Sequence, residues 1–381
     1  MSIKHRSIVS PEDQKVTFVE LFFDLVFVFS VTQVVGLLHA GISWTAVGQA
    51  ILIFWLVWFG WGQFTWALNA ADTTHYLVQL GVLIATGVAL FMAIALPDAF
   101  QDRSLWFAVI YIVLRVIGLT LFAAVASEVP SLRAALRTWV FLSIGGFAAV
   151  LAGGYFGGGA QYWFWGLAIV LDTIAAMAGG QSEAWNIHPE HFSERHGLFV
   201  IIVLGETLIV AASGTSDKVW SVSLLALGGL AVAVTSALWW SYFPRAKPQL
   251  DHALASSHGA DRSKMARDVF SLMHFPMLCG VIAYAASLEL AVDHPTATLP
   301  IESRAALALG LTLFVGGMAA AIWRATGRLI LSRAAIIVVT GFAIVVAEVG
   351  ATITMGIALL GIITIAMLEQ RSEIPIAVER G

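Results

Sequence analysis

Apolar residues run through this chain in blocks of about twenty, separated by short polar clusters, and not in the strict alternation of a half-buried strand. A helix needs about 20 such residues to cross about 30 Å of hydrocarbon. Twelve blocks qualify, at residues 16–40, 45–68, 75–97, 104–127, 132–152, 161–181, 197–214, 220–243, 268–292, 304–324, 332–349 and 350–368. Only Gly350 and its neighbours divide the last two. Continuous apolar runs select helices over a membrane barrel, whose strands alternate. The pattern predicts an all-α integral membrane protein of about twelve transmembrane helices.

Composition agrees. Of 381 residues, 59% are hydrophobic and 12% charged, about half the charged fraction of a soluble globule. Twenty Lys and Arg against 24 Asp and Glu leave no basic excess, which excludes a nucleic-acid partner. The single Cys279 excludes an intrachain disulfide or a cysteine metal cluster. With the N-terminus inside, the 20 basic residues fall on cytoplasmic segments except for Arg103, Lys218 and Arg304 outside and Arg115 within span four. Both termini are therefore predicted cytoplasmic, and the first span reads as a signal anchor. The polar stretch 244–267 reads as a cytoplasmic connector that can also meet acidic lipid headgroups.

Two segments suggest an internal repeat. Gly146-Phe147-Ala148 to Ala152 in span five matches Gly341-Phe342-Ala343 to Ala347 in span eleven at five of seven positions. The stretch from Glu206 to Val210 in span seven echoes Asp24 to Val28 in span one. Six spans per half make the repeat parallel, and carriers built this way bind cargo between the halves. The expected division is a first half over 1–181, a His-rich connector over 182–196 and a second half over 197–381.

A charged side chain at the bilayer centre costs at least about 2.5–3.5 kcal/mol, so each needs a partner, a cavity or a proton. Glu20 and Asp24 in span one share a helix face. Asp172 and Arg115 lie near the middle of spans six and four, and Glu206 lies about 14 Å into span seven. These five are the candidate catalytic or ion-coupling residues. Three readings stay open: an ion pair using Arg115, a proton- or cation-coupled site, and an acid–base site acting inside the membrane. One span arginine cannot neutralise four acids.

Before span seven comes His188-Pro189-Glu190-His191-Phe192-Ser193-Glu194-Arg195-His196. His191, Glu194, Arg195 and His196 are candidates for a gate or proton relay at the cytoplasmic mouth. His188, His191 and Glu194 form a candidate metal site by ligand type, without an HExxH pattern. His75 and His274 open spans three and nine and read as interfacial anchors. The run Gly153 to Gly159 lacks the Lys-Ser/Thr of a phosphate loop and reads as a flexible connector.

Val16-Thr17-Phe18-Val19-Glu20-Leu21-Phe22-Phe23-Asp24-Leu25-Val26-Phe27-Val28-Phe29, followed by Val31-Thr32-Gln33, resembles the opening signature of the bacterial low temperature requirement protein A family. His191 to Phe199, running into Val203-Leu204-Gly205-Glu206-Thr207, resembles that family's second hallmark. The resemblance implies a multi-spanning protein of the bacterial cytoplasmic membrane and draws attention to Glu20, Asp24, Gln33, Glu194, Arg195 and Glu206. It implies no reaction and no cofactor. Two functions are therefore carried forward. One is a proton- or cation-coupled secondary transporter; the other is an intramembrane enzyme using a carboxylate on a lipid or isoprenoid. Expected partners are membrane lipids and a small-molecule, ion or lipid substrate, with a homodimer left open.

Overall fold

The computed structural model describes residues 7–39, 41–179, 185–216, 218–329 and 331–371. Residues 1–6 and 372–381 of the termini and residues 182–184 of the connector lie outside them. The elements are α1 (Phe18–Gly36), α2 (Trp44–Ala70), α3 (Tyr76–Ala95), α4 (Ser104–Glu128), α5 (Leu132–Phe156), α6 (Gly158–Gly179) and α7 (Pro189–Ser216), then α8 (Val222–Ser241), α9 (Lys247–Ser256), α10 (Gly259–Met265), α11 (His274–Asp293), α12 (Ile301–Thr326), α13 (Leu331–Val346) and α14 (Ala351–Arg371). Two π-helical stretches, Tyr242–Ala246 and Ala266–Leu272, join α8 to α9 and α10 to α11. Among the described residues there are no strands, only two isolated bridges.

Twelve spans are expected; among the described residues a helix lies at each position, but only ten helical segments are long and apolar enough to cross a membrane. The other two positions hold α6 and α13; α13, at 16 residues, covers only about 24 Å. Large apolar side chains such as Phe91, Trp106, Phe141, Val339 and Phe342 lie exposed on the outside, as expected where the surrounding medium is lipid. The chain is a multi-pass, all-helical membrane protein.

Two boundaries differ from expectation. The connector predicted over 182–196 ends early: α7 begins at Pro189, which suits a first helical turn, so His191 to His196 lie inside a span. The polar stretch 244–267 is also helical rather than loose, and α9 packs on α7 and α12. Gly153 and Gly154 belong to α5, and Gly157 and Gly158, with φ of 61° and 53°, form the tight turn into α6. The glycine run is thus a helix end and a turn.

Helix starts follow local chemistry. Thr17 precedes α1, and its backbone N–H and hydroxyl both donate to Glu20 Oε2 at 2.9 Å, the reciprocal half of a capping box. Ser43 and Ser221 cap α2 and α8 by accepting from Ala46 N and Leu224 N.

In the stretch before α7, α1 packs on α3, α3 on α4, α4 on α5, α5 on α6, and α2 on α1, α4 and α6. Beyond it α7 packs on α11, α11 on α12, α12 on α13, α13 on α14, and α8 on α7 and α14. The two sets meet where α1 and α2 touch α7 and α11. A core of Phe23, Phe27, Phe64, Trp61 and Phe199 fills that junction.

The α11/α12 contact is backbone to backbone. A Cβ on Gly310 would lie 2.6 Å from the Gly280 carbonyl oxygen and 3.1 Å from Tyr284 N. Gly310→Ala should therefore cost about 1–3 kcal/mol of overpacking. In α3, Gly81→Ala would meet only the Leu121 side chain, at 2.8 Å, which can rotate away. Thermal unfolding in detergent checks this; equal melting of the two variants would refute it.

Candidate functional site

At the junction a polar network occupies the N-terminal parts of α1 and α7 and the C-terminal part of α2. Glu20 and Asp24, one turn apart on α1, are both buried. Arg195, one turn from His191 on α7, is fully buried and reaches both acids: Nη1 donates to Glu20 Oε1 at 2.8 Å and Nη2 to Asp24 Oδ1 at 2.7 Å. The Trp61 indole donates to the same Asp24 oxygen at 2.8 Å, and the Arg195 guanidinium lies 5.7 Å from the Trp61 ring centre.

His191 completes the network, and its tautomer follows from Asn69. Asn69 Oδ1 accepts from His188 N at 3.0 Å, so Nδ2 is the donor, to the His188 carbonyl and to His191 Nδ1 at 3.1 Å. His191 Nδ1 therefore accepts, and Nε2–H donates to Glu20 Oε1 at 2.9 Å. Two carboxylates share one guanidinium, and Asp24 Oδ2 has no hydrogen-bond partner.

The structure separates the other candidates from this network. Arg115 of α4 pairs with Asp172 of α6 at 3.4 Å. Its guanidinium also donates to Gln63 and to the Tyr111 hydroxyl, and lies 4.6 Å from the Phe59 ring centre and 5.2 Å from that of Phe147. Arg115 and Asp172 do not meet Asp24 or Glu206, because α4 and α6 pack on α2 rather than on α7. Glu206 faces α1, where the Thr32 hydroxyl donates to it at 2.7 Å.

The quartet of gate or relay candidates also divides. Only His191 and Arg195 join the acids. Glu194 is exposed, and His196 is buried in an aromatic box with Trp58, Trp61, Phe270 and His274. Its Nδ1 donates to the Phe192 carbonyl at 2.9 Å, and its Nε2 is unpartnered. His274, expected as an interfacial anchor, is fully buried and accepts from the Tyr242 hydroxyl at 2.7 Å.

The metal candidate fails among the described residues, where no three such ligands converge. Both ring nitrogens of His191 are engaged, His188 Nδ1 donates to the Glu12 carbonyl at 3.1 Å, and Glu194 lies outside the network. Partial burial lowers the His188 pKa below the usual imidazole range.

Several participants are not singled out by the sequence alone, among them Trp61 and Tyr111, which look like ordinary packing aromatics. Gln63 is an amide inside the second apolar block, Asn69 is the amide just past its end, and Glu289 is a carboxylate inside the ninth block. Glu289 lies on α11 and pairs with His39 at 2.7 Å, and its Oε2 is unpartnered. Thr17 with Glu20 is the S/T-x-x-E capping pattern.

The family described as Bacterial low temperature requirement A protein (LtrA) matches residues 15–368, and the chain belongs to that family. An uncharacterized protein of Rhizobium meliloti (strain 1021) is 29% identical over 298 residues, covering 74% of this chain and 71% of that one. No solved structure matches the chain.

Proposed function

We propose that this member of the bacterial low temperature requirement A family is a proton- or cation-coupled secondary transporter built from two parallel six-helix halves, with both termini cytoplasmic. The observation that carries the reading is a string of ionisable groups along the junction of α1, α7 and α11. Glu20, His191, Arg195 and Asp24 stand at the cytoplasmic end. Thr32 and Glu206 follow about 12 Å further along α1, and Glu289 with His39 ends the string. Phe27 and Val31, both fully buried, separate Asp24 from Thr32.

Helix pairing and sequence support the two halves. The contacts of α1 with α3, α3 with α4, α4 with α5 and α5 with α6 recur as α7 with α11, α11 with α12, α12 with α13 and α13 with α14. Gly118-Leu119-Thr120-Leu121-Phe122 in α4 is identical to Gly310-Leu311-Thr312-Leu313-Phe314 in α12. His75 and His274 start corresponding helices. In this scheme α1 and α7 are equivalent and adjacent, and the axis relating the halves runs along the membrane normal. A carrier rocks its halves about such a junction, so carboxylates placed there can exchange a proton or cation between the two sides.

Glu206→Gln keeps an acceptor for Thr32 and removes the charge. In liposomes with a trapped pH indicator, wild-type protein should dissipate an imposed proton gradient when its cargo is supplied. The variant should lose that flux with unchanged melting temperature; an unaltered flux overturns the assignment.

The intramembrane-enzyme reading draws on one separate observation, the lateral groove beside Asp24 described below. It predicts turnover of a lipid without any gradient.

A further inference from the structure

Between α1 and α7 lies a groove of about 370 Å³, lined by Phe18, Leu21, Phe22, Leu25, Leu198, Ile201 and Ile202, with Asp24 as its one polar residue. Its volume falls within the range of small-molecule sites. Phe18, Phe22, Leu25 and Ile201 are exposed on its rim, so it opens sideways to hydrocarbon rather than to water.

From this groove we infer a binding site for a lipophilic amine, a protonated nitrogen on an apolar body, that enters from the bilayer and donates to Asp24 Oδ2. Three features select that chemistry. The walls are apolar and face lipid, which suits a membrane-soluble body. Asp24 Oδ1 is taken by Trp61 and Arg195, while Oδ2 is buried without a partner and lacks a donor; a buried acceptor left unpaired is costly. The Glu20–Asp24–Arg195 group carries two acids against one base, so it lacks one positive charge. A neutral alcohol would supply the hydrogen bond alone, and a fatty acid would add to the surplus of negative charge. An ammonium supplies both donor and charge. The inference deepens the carrier reading and rests on it for one point, that Asp24 is a coupling group: ammonium and proton compete for Oδ2, which makes outward movement of one linkable to inward movement of the other.

The test is equilibrium binding of radiolabelled dodecylamine to the full chain in phosphatidylcholine nanodiscs, corrected for empty nanodiscs. One saturable site per protein is expected. Asp24→Asn should weaken it about 10-fold to 100-fold. Asn retains an acceptor for Trp61 and Arg195, and balances the local charge, so the variant should fold. Ile201→Trp, which fills the groove from a half-exposed position, should weaken binding comparably without touching the network. Dodecanol in equal excess should not displace the amine. Absence of saturable binding, indifference to both variants or displacement by dodecanol overturns the inference. Saturable amine binding that survives together with unaltered flux in Glu206→Gln would instead overturn the carrier reading and leave the groove assigned.

Discussion

Arg195→Leu should leave little folded protein. The guanidinium is fully buried and bridges Glu20 and Asp24. Removing one member of a buried ion pair costs about 3–5 kcal/mol, because the remaining charge stays buried without compensation. Here two acids would be stranded, against a total stability of about 5–15 kcal/mol for a typical protein. Arg195→Lys should rescue little, since the two acids are one turn apart and a planar fork spans them where a single ammonium does not. A triple variant, Glu20→Gln/Asp24→Asn/Arg195→Leu, should recover much of the loss because it strands no charge. Size-exclusion profile and melting temperature in detergent report the outcome. An Arg195→Leu protein that melts close to wild type would show that the network holds nothing together.

That network was partly legible before the structure. The i,i+4 spacing of Glu20 and Asp24 put them on one face, and the same spacing put His191 above Arg195; both hold, because helix geometry alone fixes them. The apolar blocks likewise located the helices, since in lipid a backbone has to satisfy its hydrogen bonds within the segment. Pairing between helices was not legible. Nothing local says that Arg115 faces Asp172 rather than Asp24; the choice is made by α4 and α6 packing around α2, a set of contacts far apart in sequence. The capping role of Glu20, which accepts from Thr17 at the start of α1, is a further contact that its depth in the membrane does not announce. His196 belongs to a buried aromatic box rather than to a watery mouth, because α7 begins at Pro189, eight residues before the apolar block does.

Arg115 and Asp172 should behave differently from Arg195 and its acids. Arg115→Leu alone, or Asp172→Leu alone, should cost about 3–5 kcal/mol through the charge each leaves behind. The double variant should recover most of that loss, because a balanced buried pair can be exchanged for apolar groups of similar size at small net cost. Recovery should stop short of wild type, since Gln63 and Tyr111 lose the guanidinium they bond to. The measurement is a double-mutant cycle on melting in detergent: strong positive coupling is expected, and additive losses would refute the pairing. If the proposed carrier reading holds, proton flux by the double variant should persist, for its residues lie among α2, α4, α5 and α6 and bond to nothing on α1 or α7 among the described contacts. The contrast comes down to charge count. One arginine facing one acid is a closed account that locks four helices, whereas one arginine facing two acids leaves a negative charge at the junction, where only a proton, a cation or a charged ligand can answer it.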